Sequence, residues 1–267
     1  MKIPPVPPAP SAPPGHKKRK SILPKPEDHT PIEKFNTILR VYPDGQLVFR
    51  FLASDHYAGG SAKRVSDGLV SDERIQAIAC SRAKLQIFDL ARANHWDWFI
   101  TLTLDQDEVD RYDYAAIVPR LEMFTKYLRR HGCKWLIVPE LHGDGAFHFH
   151  GLVAGPLPVE WWRFERLESG ERVDIYKISG YKLGRNEATK VIDPSRVSTY
   201  ITKYVTKSTM QAVPPGKKRY WAPRGLAKPQ KERLHLSDDE VQSLVHEAQY
   251  TTTYADPSGN DIVTVMM

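Results

Sequence analysis

The sequence predicts an α+β protein, a central antiparallel sheet with helices packed on one face. Three observations carry that expectation: alternating apolar and polar residues around a tight turn near the N-terminus, amphipathic stretches set between β-branched and aromatic runs, and two apolar runs joined by a short glycine-containing loop. With 267 residues and 41% hydrophobic content the chain has enough apolar material for a substantial core.

Residues 1–30 hold nine of the 21 prolines and the basic run Lys17–Lys20, with little to bury, and read as a disordered arm. The pattern TILRVYPDGQLVFRFL at 37–52, turning at Pro43-Asp44-Gly45, predicts a hairpin. In 72–93 the spacing of Ile75, Ile78, Leu85 and Phe88 predicts an amphipathic helix, with Ser71 as its N-cap. WDWFITLTL at 96–104 reads as a buried strand, and a second helix is expected over 113–130, ending at His131-Gly132. KWLIVPE (134–140) and AFHFHGLVAG (146–155) read as an antiparallel hairpin near the centre of the fold. The stretch 160–194 carries no clear period, apart from a strand at NEATKVID (186–193). A helix starting at Pro194-Ser195 and including RVSTYITKYVTK (196–207) follows, and Pro214-Pro215 bars its continuation.

Composition narrows the function. No run approaches the roughly 18 apolar residues of a membrane span, and the first residues lack the apolar segment of a signal peptide, so a cytoplasmic protein without membrane partners is expected. Cys80 and Cys133 supply neither a disulfide framework nor a four-cysteine zinc site, which leaves histidines and carboxylates as metal ligands. The net charge of +6 is concentrated: 181–233 contains 13 Lys and Arg against Glu187, Asp193 and Glu232. That segment is suited to a polyanion.

The strand FHFHGLV puts His148 and His150 on one face and Phe147 and Phe149 on the other. Two imidazoles so placed can share a cation if an oxygen ligand approaches from the neighbouring strand, which ends in Glu140. A two-residue turn would set Glu140 opposite Phe149. A three-residue Gly143–Gly145 loop, with Gly145 in the left-handed position, sets it opposite His148 and is the expected register. His142 is the alternative third ligand. On the later helix Val197, Ile201 and Val205 form an apolar stripe, with Tyr200 and Tyr204 along its edge and Lys203 and Lys207 beyond. A phenol of pKa about 10 attacks a phosphodiester poorly unless positive charge favours the phenolate and polarises the phosphate. A divalent ion and lysines would provide it.

In order, FITLT (99–103), FHFHGLV (147–153) and YITKYVTK (200–207) resemble the motifs of the HUH endonucleases of rolling-circle replication. Two tyrosines one turn apart are similar to the two-tyrosine initiators of small single-stranded DNA phages and related filamentous-phage and plasmid proteins. The resemblance implies an HUH domain over 71–235, related to RRM and ferredoxin-like folds, with a hairpin extension at 31–70 and a tail at 236–267. It implies Mg²⁺ or Mn²⁺ held by His148, His150 and, less securely, Glu140. It implies nicking of single-stranded or origin DNA through a 5′-phosphotyrosine on Tyr200 or Tyr204, assisted by Lys203 and Lys207, with a host helicase and DNA polymerase as partners. KKRYWAPRGL (217–226) is similar to a basic, aromatic segment after the tyrosine helix, so Lys217, Lys218, Arg219, Tyr220, Trp221 and Arg224 are expected to contact DNA. Thr101 and Thr103 are candidate DNA contacts on a strand otherwise expected to be structural at a sheet edge. An HUH transposase or relaxase, a non-catalytic nucleic-acid-binding module and a metal-dependent hydrolase that leaves the tyrosines idle are the alternatives.

Overall fold

The computed structural model describes residues 34–57, 72–168, 170–214, 216–255 and 261–266. The arm at 1–30, the N-cap Ser71 and the side chain of Ile75 lie outside the described residues. The fold is α+β, with two antiparallel sheets and helices against them.

The first hairpin forms as its alternation predicts, with β1 (Lys34–Val41) and β2 (Leu47–Tyr57) joined through Gly45 at φ 84°. It is followed by α1 (Asp72–Arg92), β3 (Trp98–Thr103), α2 (Tyr114–Arg130), β4 (Lys134–Leu141) and β5 (Phe147–Ala154). The unread stretch forms a second ribbon, β6 (Val159–Arg166) with β7 (Arg172–Ile178), and β8 (Asn186–Lys190) lies within the expected strand. The six strands are ordered β4-β5-β3-β8-β7-β6. The histidine hairpin therefore lies at one edge rather than near the centre. The FITLT strand, expected at an edge, is internal, between β5 and β8.

Helices cover both faces of this sheet, not one. Trp98, Ile100 and Leu102 point from β3 into a core completed by Ile117, Leu121 and Leu128 of α2, whose N-cap Asp113 accepts from the Ala115 N–H at 2.8 Å. On the other face Leu136, Val138 and Leu152 meet Ala83, Ile87 and Leu90 of α1 and Val197 and Ile201 of α3 (Pro194–Lys203). The buried stripe of α1 thus differs from the expected one, since Ile78, Leu85 and Phe88 are only half-buried. Phe88 turns instead toward Tyr42 in an edge contact of 6.0 Å.

The helix expected to run unbroken through residue 207 stops at Lys203. Tyr204, Val205 and Thr206 leave it, and α4 (Lys207–Ala212) begins afresh because Thr206 turns extended and its hydroxyl caps the Thr209 N–H at 3.1 Å. Val205 nevertheless stays buried with Val197 and Ile201, so the apolar stripe outlasts the helix. The side chain of Lys207 lies outside the described residues.

The region 236–267, expected as a tail, is instead built into a sheet. The strands β9 (Gln230–Leu234), β10 (Tyr250–Ala255) and β11 (Asp261–Met266) join the N-terminal hairpin in the order β10-β11-β2-β1-β9. Between β9 and β10, α5 (Asp238–Glu247) starts with a capping box of Ser237 and Glu240, and its Val241 and Leu244 pack with Phe49, Phe51 and Val265 of the sheet. Asp89 of α1 ties this second sheet down. It is buried, accepts from Tyr42 Oη at 2.8 Å, and pairs with Arg40 at 3.5 Å and Lys231 at 3.4 Å.

Candidate metal and tyrosine site

The hairpin β4–β5 sets the site's register. His142 and Ala146 close a Gly143-Asp144-Gly145 loop, Gly145 adopts φ 87°, and Glu140 stands opposite His148. A side chain at Gly145 would be strained in that left-handed conformation. Strand parity then brings Glu140, His148 and His150 to one face, while Phe147 and Phe149 are buried in the α2 core on the other. One ligand atom from each of the three lies within 4.8 Å of the others. His142 is outside that triad, its ring resting on His148 at 4.5 Å.

Glu140 Oε2 is 2.7 Å from His150 Nε2. The other nitrogen, Nδ1, is 3.3 Å from the Thr101 hydroxyl. Burial holds the His148 pKa down at about 4, helped by repulsion from His142 and His150. Burial also lowers that of His150, against the opposing pull of Glu140. Both imidazoles are therefore neutral near pH 7, as metal ligation requires. Two neutral nitrogens and a carboxylate on one partly exposed wall fit a divalent cation with coordination positions left open toward solvent.

The tyrosines come to the same place. Tyr204 stacks on His150 with ring centroids 3.6 Å apart and planes 15° from parallel, and Tyr200 meets Tyr204 edge-on at 5.5 Å. Phe99 fills the corner, 5.1 Å from Tyr200 and 5.8 Å from His150. Tyr200 is 44% exposed, and the Lys203 ammonium sits 5.3 Å from its ring. Burial, then the hydrogen bond with Tyr200, raises the Tyr204 pKa far above the ordinary phenol value.

Phe99 is a site residue the sequence reading assigned only to structure, although its parity with Thr101 on β3 was a usable signal. Beside the triad an open cavity of about 360 Å³ is lined by Thr101, Thr103 and His148 together with Arg185, Asn186 and Glu187. The last three were not expected, because only the pairing of β8 with β3 brings them there.

The expected DNA segment divides. Trp221 is 3% exposed, its N–H and C=O both pair with Ile137 at 2.8 Å, and its ring packs against Phe149. It seals the free edge of β4 and is not available to stack on a base, a correction to the sequence reading. Tyr220 is half-buried and its hydroxyl donates to Gln86 at 3.0 Å. Arg219 is half-buried, Lys218 pairs with Glu122 at 2.9 Å, and Lys217 and Arg224 are exposed.

The fold and site define a protein with a metal-ligand triad and paired tyrosines on one face of an antiparallel sheet. Residues 97–209 match the family model of the replication-associated protein ORF2, a match consistent with a rolling-circle replication initiator and hence with DNA as partner. No curated protein and no solved structure matches the chain. Among the described residues no helix is long and apolar enough to cross a membrane.

Proposed function

We propose that the protein is a rolling-circle initiator of the two-tyrosine HUH type, nicking and rejoining one DNA strand with a divalent metal, Mg²⁺ or Mn²⁺. The observation that carries this reading is the stacking of Tyr204 on triad residue His150, with Tyr200 against Tyr204. A hydrolase using only the triad gives no reason for two phenols to converge there.

Glu140, His148 and His150 would hold the ion, and Thr101 would orient His150 through Nδ1. Bound there, a divalent ion supplies Lewis-acid polarisation of a phosphate oxygen. A phenolic oxygen of Tyr200 or Tyr204 attacks phosphorus and the bond to the 3′ oxygen breaks. The products are a 5′-phosphotyrosine and a free 3′ hydroxyl, and Lys203 lies close enough to Tyr200 to offset developing negative charge. The second tyrosine stands ready for the junction regenerated after one round, and its attack would rejoin the strand.

The test is incubation with single-stranded DNA and Mn²⁺ followed by a denaturing gel. A protein–DNA adduct is expected, lost in EDTA and in His148→Ala. Cleavage undiminished by EDTA, or cleavage with no adduct, would refute the mechanism.

A further inference from the structure

The β6–β7 ribbon stands apart from the rest of the six-stranded sheet. No residue of β6 is buried, and Trp161, Trp162 and Phe164 are 56%, 40% and 48% exposed. Exposed indoles on an edge strand are an aggregation hazard unless they serve a contact. Their surroundings are specific. The pairing shifts between Trp161 and Arg163, so Trp162 sits in a bulge, a device that re-aims a side chain.

The register shows where it is aimed. His150 stands opposite Thr101, Thr101 opposite Glu187, and the pairing of Tyr176 with Ala188 sets Lys177 in the same row. Directly paired residues share a sheet face, so Lys177 is on the face of the metal-ligand triad. Its ammonium lies 3.5 Å from the Trp162 ring centroid, which places that indole on the same face. Arg163 and Arg185 approach the ring at 4.6 Å and 5.6 Å. Both arginines are also tied to Glu187, at 3.3 Å and 2.7 Å, whereas Lys177 donates to the neutral Asn186 carbonyl at 2.8 Å. Trp161 belongs to the opposite face, its paired neighbour Tyr176 packing on Trp98 at 5.2 Å.

The ground between is continuous. The cavity lined by His148, Thr101 and Thr103 is also lined by Arg185, which reaches the indole. Four strand spacings of about 4.8 Å separate β5 from β6, a span of roughly 19 Å that several nucleotides of one strand can cover.

We propose that this ribbon is a stacking platform for single-stranded DNA, with Trp162 receiving one unpaired base and Lys177 the adjoining phosphate. The proposal rests on the nicking reading for its ligand and adds the subsite that holds the strand beside the scissile phosphate. An indole offers every base a π-face, and the cations around it recognise the backbone without reading sequence. The platform therefore supplies grip, leaving choice of site to contacts elsewhere.

The experiment measures binding of fluorescent oligodeoxythymidylates in EDTA, where no cleavage intervenes, by anisotropy and by quenching of tryptophan emission. Trp162→Ala is expected to weaken binding by about 5- to 100-fold, Trp162→Phe much less, and Trp161→Ala on the other face not at all. Lys177→Gln is expected to lower the salt slope by about one. Equal affinities for wild type, Trp162→Ala and Trp161→Ala would overturn the platform, as would a preference for duplex over single strands that depends on Trp162. If such a wild type still forms the adduct, the nicking reading stands alone. A Trp162-dependent affinity in a protein that forms no adduct would instead refute the nicking reading and leave the platform.

Discussion

Thr101→Val tests how the metal-binding face is organised. Valine matches threonine in shape, so the buried strand keeps its packing while the hydroxyl 3.3 Å from His150 Nδ1 is lost. When Nε2 ligates a metal, the ring proton resides on Nδ1 and donates to Thr101. With valine it has no acceptor there, and His150 is only 7% exposed, so water replaces the lost partner poorly. An orphaned buried donor costs about 1–3 kcal/mol. The 3.3 Å separation is long for such a bond, which favours the lower end, and about 1.4 kcal/mol corresponds to a tenfold loss. Mn²⁺ affinity measured by calorimetry, or by the spin-resonance signal of free Mn²⁺, is therefore expected to fall about tenfold. Without metal the Nε2–Glu140 contact is available in either protein, so the variant's melting temperature in EDTA changes less than its metal affinity implies. Unchanged Mn²⁺ affinity would show that Thr101 does not orient His150.

Further outcomes follow from the same coordinates. Single Tyr200→Phe or Tyr204→Phe changes keep the aromatic packing and leave one covalent step, while the double change abolishes the adduct in denaturing gels; mass spectrometry showing every adduct on one tyrosine in a full cleavage-and-rejoining cycle would refute shared work. In EDTA, the unfolded chain takes up a proton at His148 near its ordinary pKa of 6.5, while the folded chain resists until about pH 4. Stability must therefore fall as pH is lowered through that window, and urea titrations of His148→Gln should show a flatter decline. Trp221→Ala opens a cavity between Phe149 and Tyr114 and is expected to cost about 3–5 kcal/mol in chemical denaturation; a loss confined to DNA affinity would restore Trp221 to the binding surface.

How far the sequence discloses this protein depends on the range over which each feature is determined. The Glu140–His148 register is legible because parity and one left-handed glycine determine it within a dozen residues. The helix break at Tyr204 is hidden because Val205 continues the apolar period, and only the Thr206 cap marks a new start. The β6–β7 ribbon is unreadable by periodicity since neither face of β6 is buried. Trp221 shows the opposite failure: an aromatic in a basic segment looks like a nucleic-acid contact, yet a distant edge, Ile137, claims its backbone. Phe99, Thr101 and Glu187 converge on the histidines through pairings made between β5, β3 and β8, which no local pattern specifies.

The second sheet sets an order on synthesis. The tyrosine site and all six strands of its sheet precede residue 213, whereas β2 acquires its partner β11 only when residues 261–266 have left the ribosome. Until then the β2 edge is unpaired and Phe49 and Phe51 lack Val265. A product ending near residue 235 would thus retain every candidate catalytic group and still expose an apolar strand edge, a template for aggregation.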